Sequence, residues 1–242
     1  ENVLQTALGY TNYSTFGSHI TWNAEYGYKV SDNVQFVAGA GSAFRAPNAT
    51  DLYGFGGNPN LNPEQSHDYE LSLRYKLENH SFALSAFQND VDDLIAFDNA
   101  ASIVRNIAKA RIRGYEASYA YTGNDWRVHA EALYQNPRDR LTGQQLLRRA
   151  KQSLSTGYSQ KLGDLEVGLD VLYSGPRKDF GFPTNVDLRA YVLANMHANY
   201  AITEKFALLM QIDNLTNTQY ELANGYNTAD RSWSLALRYS IR

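Results

Sequence analysis

Histidines are the first residues in this sequence that could do chemistry, because a hydrolase needs a serine and a histidine within hydrogen-bonding reach on an accessible face. The sequence has five histidines. His129 and His197 fall on the polar side of alternating segments, but no Ser-His-Asn grouping is evident around them. The sequence therefore predicts that the protein is not an enzyme.

An acidic cluster of Asp90, Asp92 and Asp93 is the second candidate, since clustered carboxylate oxygens suit a hard cation such as calcium. The spacing of the three residues does not match an EF-hand loop. The alternative is a solvated end of a strand, and this interpretation is favoured. No metal site and no cofactor are predicted.

A pair of adjacent arginines, Arg148 and Arg149, is the third candidate. The pair could be a cationic feature at the edge of the protein, or it could contact a ligand. Leu154 and Tyr158 fall on the apolar face of their segment, so strict alternation directs Arg148 to the apolar side. Arg149 would then point to the polar side, unless a bulge intervenes.

The elements that carry these residues are strands with one apolar and one polar face. In the last segment Trp233, Leu235, Leu237, Tyr239 and Ile241 alternate with serine, alanine and arginine. About a dozen segments repeat this alternation, which is typical of strands that face lipid on one side and water on the other. The predicted fold class is all-β, an antiparallel transmembrane β-barrel of about 12 strands.

The predicted strands span about 2 to 13, 18 to 30, 33 to 47, 64 to 77, 80 to 92, 102 to 122, 125 to 136, 147 to 162, 164 to 175, 186 to 202, 205 to 214 and 229 to 241. Their even number puts both chain ends on the same side. The first strand is therefore predicted to pair with the last if the chain closes by itself. The whole chain, 1–242, is predicted to form one barrel domain.

The connections between the predicted strands alternate between short and long. Tight turns such as Ser31 to Asn33 and Gly163-Asp164 are rich in residues that tolerate turn dihedral angles. Longer stretches lie at about 47 to 63, 93 to 101, 137 to 146, 175 to 185 and 214 to 228. This pattern is typical of an outer-membrane barrel with periplasmic turns and external loops, and aromatic residues near both strand ends predict two interfacial belts.

The composition excludes a helical membrane protein and gives no indication of nucleic-acid binding. The 242 residues carry a net charge of -3, and no apolar run approaches the roughly 20 residues that a spanning helix needs. The absence of cysteine fits a bacterial envelope protein. The chain begins at Glu1 without an initiator methionine or a signal-like segment, so a mature product or an excised piece is expected.

The segment 43–64 contains the most specific motifs of the chain. Phe44 to Pro47, and Asn58 to Leu61 followed by Pro63-Glu64, resemble the FRAP and NPNL-PE signatures of TonB-dependent outer-membrane receptors. Further landmarks of that family match in the same order at 88–95, 106–117, 146–152, 213–215 and 225–229. Within the family, Tyr53-Gly54-Phe55 and the runs at 146–152 and 225–229 are most similar to the cobalamin receptors. The resemblance covers nearly the whole chain.

The resemblance implies an outer-membrane receptor of bacteria that takes up cobalamin (vitamin B12). Arg148 aligns with an arginine that faces the cobalamin, and Phe180 and Tyr226 align with aromatic ligand contacts, so these three are the predicted ligand-binding residues. Capping of the barrel wall is an equally good interpretation of the two aromatic residues. A ferric siderophore is the alternative ligand, and outer-membrane lipid and lipopolysaccharide are the expected surroundings.

The resemblance also implies segments that this sequence does not contain. Receptors of the family carry an N-terminal plug domain with a TonB-contacting box, followed by a barrel of about 22 strands. The sequence holds about the last twelve, so contact with TonB is expected only through the plug. Taken alone, the chain could instead form a passive or engineered pore of twelve strands.

Overall fold

The computed structural model describes residues 2–98 and 101–241 and consists almost entirely of β-strands. Residues 99 and 100 of the predicted 93 to 101 loop, and residues 1 and 242 of the predicted domain, lie outside the described residues. The elements are β1 (Val3–Tyr13), β2 (Gly17–Lys29), β3 (Val34–Arg45), α1 (Ala49–Tyr53), β4 (Glu64–Leu77), β5 (His80–Asp98), β6 (Ile103–Thr122), β7 (Trp126–Asp139), β8 (Gln152–Leu162), β9 (Leu165–Ser174), β10 (Arg177–Asp179), β11 (Val186–Leu188), β12 (Tyr191–Ala201), β13 (Phe206–Asp213) and β14 (Ser232–Tyr239).

Twelve strands form a single antiparallel sheet in sequence order, β1 to β9 followed by β12, β13 and β14. Consecutive strands pair as hairpins, so that β1 and β2 run in register from Val3 with Gly27 to Tyr13 with Gly17. The remaining two strands, β10 and β11, form a separate small hairpin. The predicted all-β antiparallel fold and its twelve principal strands are confirmed.

The two edges of the sheet are β1 and β14, and the described residues show no pairing between them. The prediction that the first strand pairs with the last is therefore wrong for this structure. The diameter of a barrel grows with its number of strands, so a sheet curved for a wider barrel does not close at twelve. In lipid both edges need partner strands, because an unpaired backbone group in hydrocarbon is costly.

Three predicted strand boundaries are also wrong. The strand predicted at 186 to 202 is two elements, because β11 pairs with β10 and the sheet resumes only at Tyr191. The strand predicted at 80 to 92 continues to Asp98, where β5 still pairs with β6. The strand predicted at 147 to 162 begins at Gln152, so strand alternation does not apply to the arginine pair before it.

The short helix α1 lies in the loop between β3 and β4 and was not predicted. Asn48 caps it, because its side chain accepts a hydrogen bond of 3.0 Å from the Asp51 N–H while the Asp51 carboxylate accepts one of 3.0 Å from the Asn48 N–H. Asp51 also contacts Arg45 of β3 at 3.2 Å. None of the helical structure in the described residues is long and apolar enough to cross a membrane.

The apolar face predicted from alternation is the exposed outer face of the sheet. On β14, Leu235, Leu237 and Tyr239 are exposed, and Leu237 is 63% exposed. Leu237 pairs with Leu208 of β13, and Leu235 pairs with Met210, so the apolar face continues across the strands. These side chains have no protein core to bury them, which suits a surface whose solvent is lipid.

Aromatic rings gather beside the short turns on this outer face. Tyr121 stacks on Trp126 with ring centroids 4.0 Å apart, and Trp126 lies 6.5 Å from Tyr158 on the next strand. Phe206 and Tyr239 pack at 4.8 Å on the last hairpin. Amphipathic rings at this depth are typical of a membrane interface.

Candidate ligand-binding site

The long loops lie together at one end of the sheet and are joined by specific contacts. The loop between β3 and β4 is bonded to β6, because the Val104 N–H donates to the Gly56 carbonyl at 2.6 Å. Asn62 and Asn106 exchange two hydrogen bonds of 2.9 Å between the same two segments. These loops are therefore connected in one layer and do not project independently.

A buried carboxylate, Asp179, joins three further loops to this layer. Asp179 ends β10 and is fully buried, with 0% of its surface exposed. Arg148 Nε donates to its Oδ1 at 2.7 Å, the Phe180 N–H donates to Oδ1 at 2.8 Å, and the Asn224 N–H donates to Oδ2 at 2.6 Å. The donors belong to the β7–β8 loop, the β10–β11 hairpin and the β13–β14 loop, so one side chain fixes three loops. We call Asp179 with these three donors the Asp179 junction.

Two more polar side chains reinforce the junction. The side-chain amide of Asn224 donates to the Phe180 carbonyl at 2.9 Å. Arg177, which is also buried, donates to Ser174 Oγ at 3.2 Å and to the carbonyl of Glu221 in the β13–β14 loop. Buried charges are tolerated only when they are hydrogen-bonded in this way, and these bonds tie the β10–β11 hairpin to the β13–β14 loop.

The ionisation of Asp179 follows from two opposed effects. Burial alone would raise the pKa of its carboxyl group, because desolvation disfavours the charged form. The hydrogen bonds from the Asn224 N–H, from Arg148 and from the Phe180 N–H outweigh burial and hold the pKa below its usual value of 3.8. Asp179 is therefore a carboxylate at neutral pH and balances the charge of Arg148.

Arg148 is placed by the backbone as well as by Asp179. Its φ of 58° lies in the left-handed region, and its N–H donates to the Lys178 carbonyl at 2.7 Å. The guanidinium carbon lies 5.0 Å from the Phe180 ring centroid, a cation–π distance. Half of the Arg148 side chain is exposed, so its outer N–H groups can still donate to a ligand.

Phe180 connects the junction to the opposite loops. Its ring meets Phe97 of β5 edge to face, with centroids 5.6 Å apart. A Cβ added at Gly56 would come within 2.7 Å of the Phe97 ring, so the β3–β4 loop packs against the same aromatic pair. The structure thus brings Arg148 and Phe180 together, as members of one site.

Tyr226, the third predicted residue, is placed differently. It lies in the β13–β14 loop two residues after Asn224, and 71% of it is exposed. Its N–H donates to the Ala223 carbonyl at 3.1 Å, but its ring does not contact Arg148 or Phe180 in the described structure. Tyr226 is connected to the other two residues only through the backbone of its loop and the Asp179 junction.

A second group of contacts joins the FRAP-like motif to the NPNL-PE-like motif. Arg45 Nε donates to Glu64 Oε2 at 2.8 Å and Arg45 Nη2 donates to Oε1 at 2.6 Å, a bidentate pair across β3 and β4. Glu64 Oε1 also accepts a hydrogen bond of 2.8 Å from the Ile95 N–H. The two motifs therefore close the base of the β3–β4 loop onto β5.

A cavity of about 520 Å³ opens on the inner face of the sheet beneath the loops. Its volume is within the range of small-molecule sites, about 300 to 1,000 Å³. The residues that line it include Arg149, Leu146, Arg45, Glu64, Asp68 and Glu116. Arg149 thus faces the interior cavity, whereas Arg148 faces the Asp179 junction. Neither residue lies in a regular strand, so strand alternation does not set these directions.

Two of the acidic residues considered as a calcium site pair with cationic side chains of β6. Asp90 accepts hydrogen bonds of 2.6 and 3.0 Å from Arg111, and Asp92 lies 3.8 Å from Lys109 Nζ. Asp93 has a φ of 56° and interrupts the alternation of β5. Across the described residues no group of three or more acidic, histidine or cysteine side chains is arranged to hold a metal ion.

The two histidines considered for hydrolysis share a carboxylate. Asp170 lies 3.4 Å from His197 Nδ1 and 3.9 Å from His129 Nε2. Gly157 and Gly168 leave room for the rings, since an added Cβ would come within 2.1 Å of His129 and 2.2 Å of His197. No serine hydroxyl bonds to either ring in the part of the chain that is described.

Asp179, Asn224 and Phe97 are site residues that the sequence did not reveal. A single aspartate in a predicted loop has no periodic signal, and the sequence predicts only one strand of the hairpin that buries it, β11, as the start of the strand at 186 to 202. The sequence predicts Phe97 in the loop at 93 to 101, but Phe97 belongs to β5. A cue was available in Arg177-Lys178-Asp179, where three charged residues stand in a stretch of otherwise neutral sequence from 174 to 186.

Comparison with known proteins identifies the fold and its family. A family model described as "TonB dependent receptor-like, beta-barrel" matches residues 3–215. A mutant of the ferric enterobactin receptor of Pseudomonas aeruginosa superposes with a TM-score of 0.81 at 18% identity, over 99% of this chain and 43% of the receptor.

Two further receptors have the same fold. The siderophore receptor PirA of Acinetobacter baumannii superposes with a TM-score of 0.79 at 20% identity, over 98% of this chain and 43% of that one. The ferripyoverdine receptor of Pseudomonas aeruginosa gives 0.75 at 19%, over 92% and 33%. At these identities the likeness concerns the fold alone, and the chain spans less than half the length of each receptor.

Proposed function

Because this chain belongs to the TonB-dependent receptor β-barrel family, we propose that it is part of a receptor that binds cobalamin at its external mouth. The family places the chain in the bacterial outer membrane, and its matched relatives are receptors and transporters. The mouth is the space bounded by the long loops. The observation that carries the proposal is the Asp179 junction, which holds Arg148 beside Phe180 within that layer of loops.

Each predicted residue has a defined role in this proposal. Arg148 keeps Nε on Asp179 and offers its remaining N–H groups to amide oxygens of the corrin ring. Phe180 and the exposed ring of Tyr226 cover apolar faces of the ligand. Cobalamin is proposed over other ligands because of the motifs at 53–55, 146–152 and 225–229.

A ferric siderophore is the second candidate ligand. The solved receptors with this fold include an enterobactin and a ferripyoverdine receptor. Exposed cations at the same end of the sheet, Arg148 and Lys178, would suit an anionic iron complex. Both ligands use the same mouth, so the choice between them rests on affinity.

The energised step is proposed to involve other parts of the receptor. By resemblance, a plug domain with a TonB-contacting box would transmit the pull of TonB. The loops described here would capture the ligand and hold it above the inner cavity. A passive pore is the alternative function for this segment on its own.

The proposal is tested by equilibrium binding of cobalamin to the full-length receptor with Arg148→Ala. Loss of one charged hydrogen-bond donor should cost about 1 to 2 kcal/mol, which weakens binding about 5- to 30-fold. Arg231→Ala removes another exposed arginine of the β13–β14 loop and serves as the matched control, with a change below about twofold. Equal losses in the two variants, or none in Arg148→Ala, would contradict the proposed site.

A further inference from the structure

The β13–β14 loop contains an Asn-Gly pair, Asn224-Gly225, and no other asparagine of the sequence is followed by glycine. The two are the central residues of a turn, because the Tyr226 N–H donates to the Ala223 carbonyl at 3.1 Å and Gly225 has a φ of 79°. Asn224 is exposed and lines an open cleft of about 390 Å³ between its loop and the segment 186–191. Water therefore reaches the Asn224 side chain.

An Asn-Gly pair can cyclise without an enzyme. The Gly225 backbone nitrogen attacks the Asn224 Cγ, so that an N–Cγ bond forms and the Cγ–Nδ2 bond breaks. The proton of the Gly225 N–H leaves with Nδ2 as ammonia, which gives a five-membered succinimide. Water then adds to one of the two ring carbonyl groups and returns a proton to the ring nitrogen. The product is aspartate or isoaspartate at position 224, and the only co-reactant is water.

Gly225 removes the steric barrier to this attack. Glycine has no Cβ, so its backbone nitrogen stays open to the preceding side chain. A Cβ added at Gly225 would meet none of the described residues within 4 Å, so the other loops do not cover this peptide either. Asn227 is exposed in the same loop, but the β-branched side chain of Thr228 crowds the nitrogen that would attack it. The loop therefore contains one reactive and one unreactive asparagine.

The Asp179 junction restrains Asn224 while the loop is closed. The Asn224 N–H donates to Asp179 Oδ2 at 2.6 Å, and Asn224 Nδ2 donates to the Phe180 carbonyl at 2.9 Å. Cyclisation turns Cγ towards Gly225 and expels Nδ2, so the bond to Phe180 must break first. The reaction therefore proceeds from the opened loop, and its rate follows the fraction of time for which the junction is open.

The product side chain does not fit the closed junction. A carboxylate has only acceptor oxygens, so at position 224 it cannot donate to the Phe180 carbonyl. It would also place a second negative charge beside the Asp179 carboxylate, and like charges repel. In isoaspartate the chain runs through the former side chain and gains one backbone carbon, which displaces the N–H that Asp179 accepts.

We propose that Asn224 is a spontaneous modification site that the Asp179 junction protects, and that its conversion to aspartate or isoaspartate releases the β13–β14 loop irreversibly. Each receptor molecule then changes once, with age, from a fixed loop to a released one. This loop carries Tyr226, so the change acts at the mouth. The reaction does not depend on which ligand the receptor binds.

The first test follows the modification in the full-length receptor by tandem mass spectrometry during incubation at mildly alkaline pH. Asn224 should become aspartate and isoaspartate while Asn227 stays an amide. Asp179→Ala should accelerate the reaction at Asn224 at least about 10-fold, because the closed loop loses its acceptor. Asp187→Asn, which removes an exposed carboxylate of the same hairpin, is the matched control with an unchanged rate.

Two results of this test would overturn the proposal. One is modification of Asn227 as fast as that of Asn224, because the reaction would then not depend on Gly225. The other is an equal rate at Asn224 in Asp179→Ala and in the unmodified receptor, because the junction would then give no protection. Circular dichroism checks that each variant keeps its β-structure.

The second test uses Asn224→Asp, which reproduces the aspartate product directly. Hydrogen exchange of the backbone amide at position 224 should be on the order of 10-fold faster than in the unmodified receptor, because the bond to Phe180 is lost and the two carboxylates repel. Asn227→Asp adds the same charge three residues away and outside the junction, so it should leave this exchange unchanged. Equal exchange in the two variants would show that the modification does not release the loop.

Discussion

Replacing Asp179 by alanine should release the β13–β14 loop from the rest of the loop layer. The carboxylate accepts hydrogen bonds from two backbone N–H groups and from Arg148. Arg148 is half exposed and regains water when its partner is lost, but the N–H groups of Phe180 and Asn224 are left without an acceptor. Each of these two donors costs about 1.5 to 2.5 kcal/mol when it is left unsatisfied, so the total loss is about 3 to 5 kcal/mol.

Hydrogen exchange of residues 214–231 in the full-length receptor measures this loss. If local opening limits exchange, 3 to 5 kcal/mol corresponds to about 10²- to 5 × 10³-fold faster exchange of the Asn224 amide. Asp179→Asn keeps the size of the side chain but replaces one acceptor oxygen by a donor, so about half of the effect is expected. Both variants should leave exchange within β13 and β14 unchanged.

Asp187→Asn is the matched control in the same hairpin. Asp187 pairs with Lys178 at 3.0 Å, but 75% of its side chain is exposed, and exposed pairs contribute about 0 to 1 kcal/mol. Its exchange profile should therefore match that of the unmodified receptor. If Asp179→Ala also leaves the Asn224 amide unchanged, the junction does not hold the loops and the reasoning is refuted.

Three further predictions concern lipid contact, pH and the inner face. Leu237→Arg should cost about 2 to 4 kcal/mol of folding free energy because Leu237 faces lipid, whereas Ala236→Arg should be tolerated; a folding titration with the opposite order would reverse the faces. The folded-state pKa of Asp179 is depressed, so the stabilisation that Asp179 contributes is complete above its unfolded pKa and is lost as the pH falls through its folded pKa. Exchange of the Asn224 amide should therefore accelerate in a step below about pH 4, and Asp179→Asn should lack this step. Gly168→Val should destabilise folding, because its Cβ would come within 2.2 Å of the His197 ring; an unchanged unfolding midpoint would show that the ring moves freely.

The fold was predictable where alternation alone decides it. In β14, Leu235, Leu237 and Tyr239 face outward as the period of two requires. Alternation does not state which strand is the partner, so it predicts one strand from Val186 onward, although β11 pairs with β10. Whether the sheet closes into a barrel was not predictable either, because closure depends on the curvature of the whole sheet.

The site was predictable only in part. Motif resemblance selected Arg148 and Phe180, which the structure brings within 5.0 Å. It did not select Asp179, whose role depends on three donors that are far apart in sequence. Strand alternation also does not predict the direction of the Arg148 side chain, because Arg148 lies outside any strand and has a left-handed backbone conformation.

The ligand preference of the full-length receptor tests the central claim most directly. Equilibrium binding of cobalamin and of a ferric siderophore would be measured on the same protein, with and without Arg148→Ala. The account predicts tight binding of cobalamin that weakens about 5- to 30-fold in the variant, and little binding of the siderophore. Tight siderophore binding with no response to cobalamin would keep the receptor family and contradict the proposed ligand.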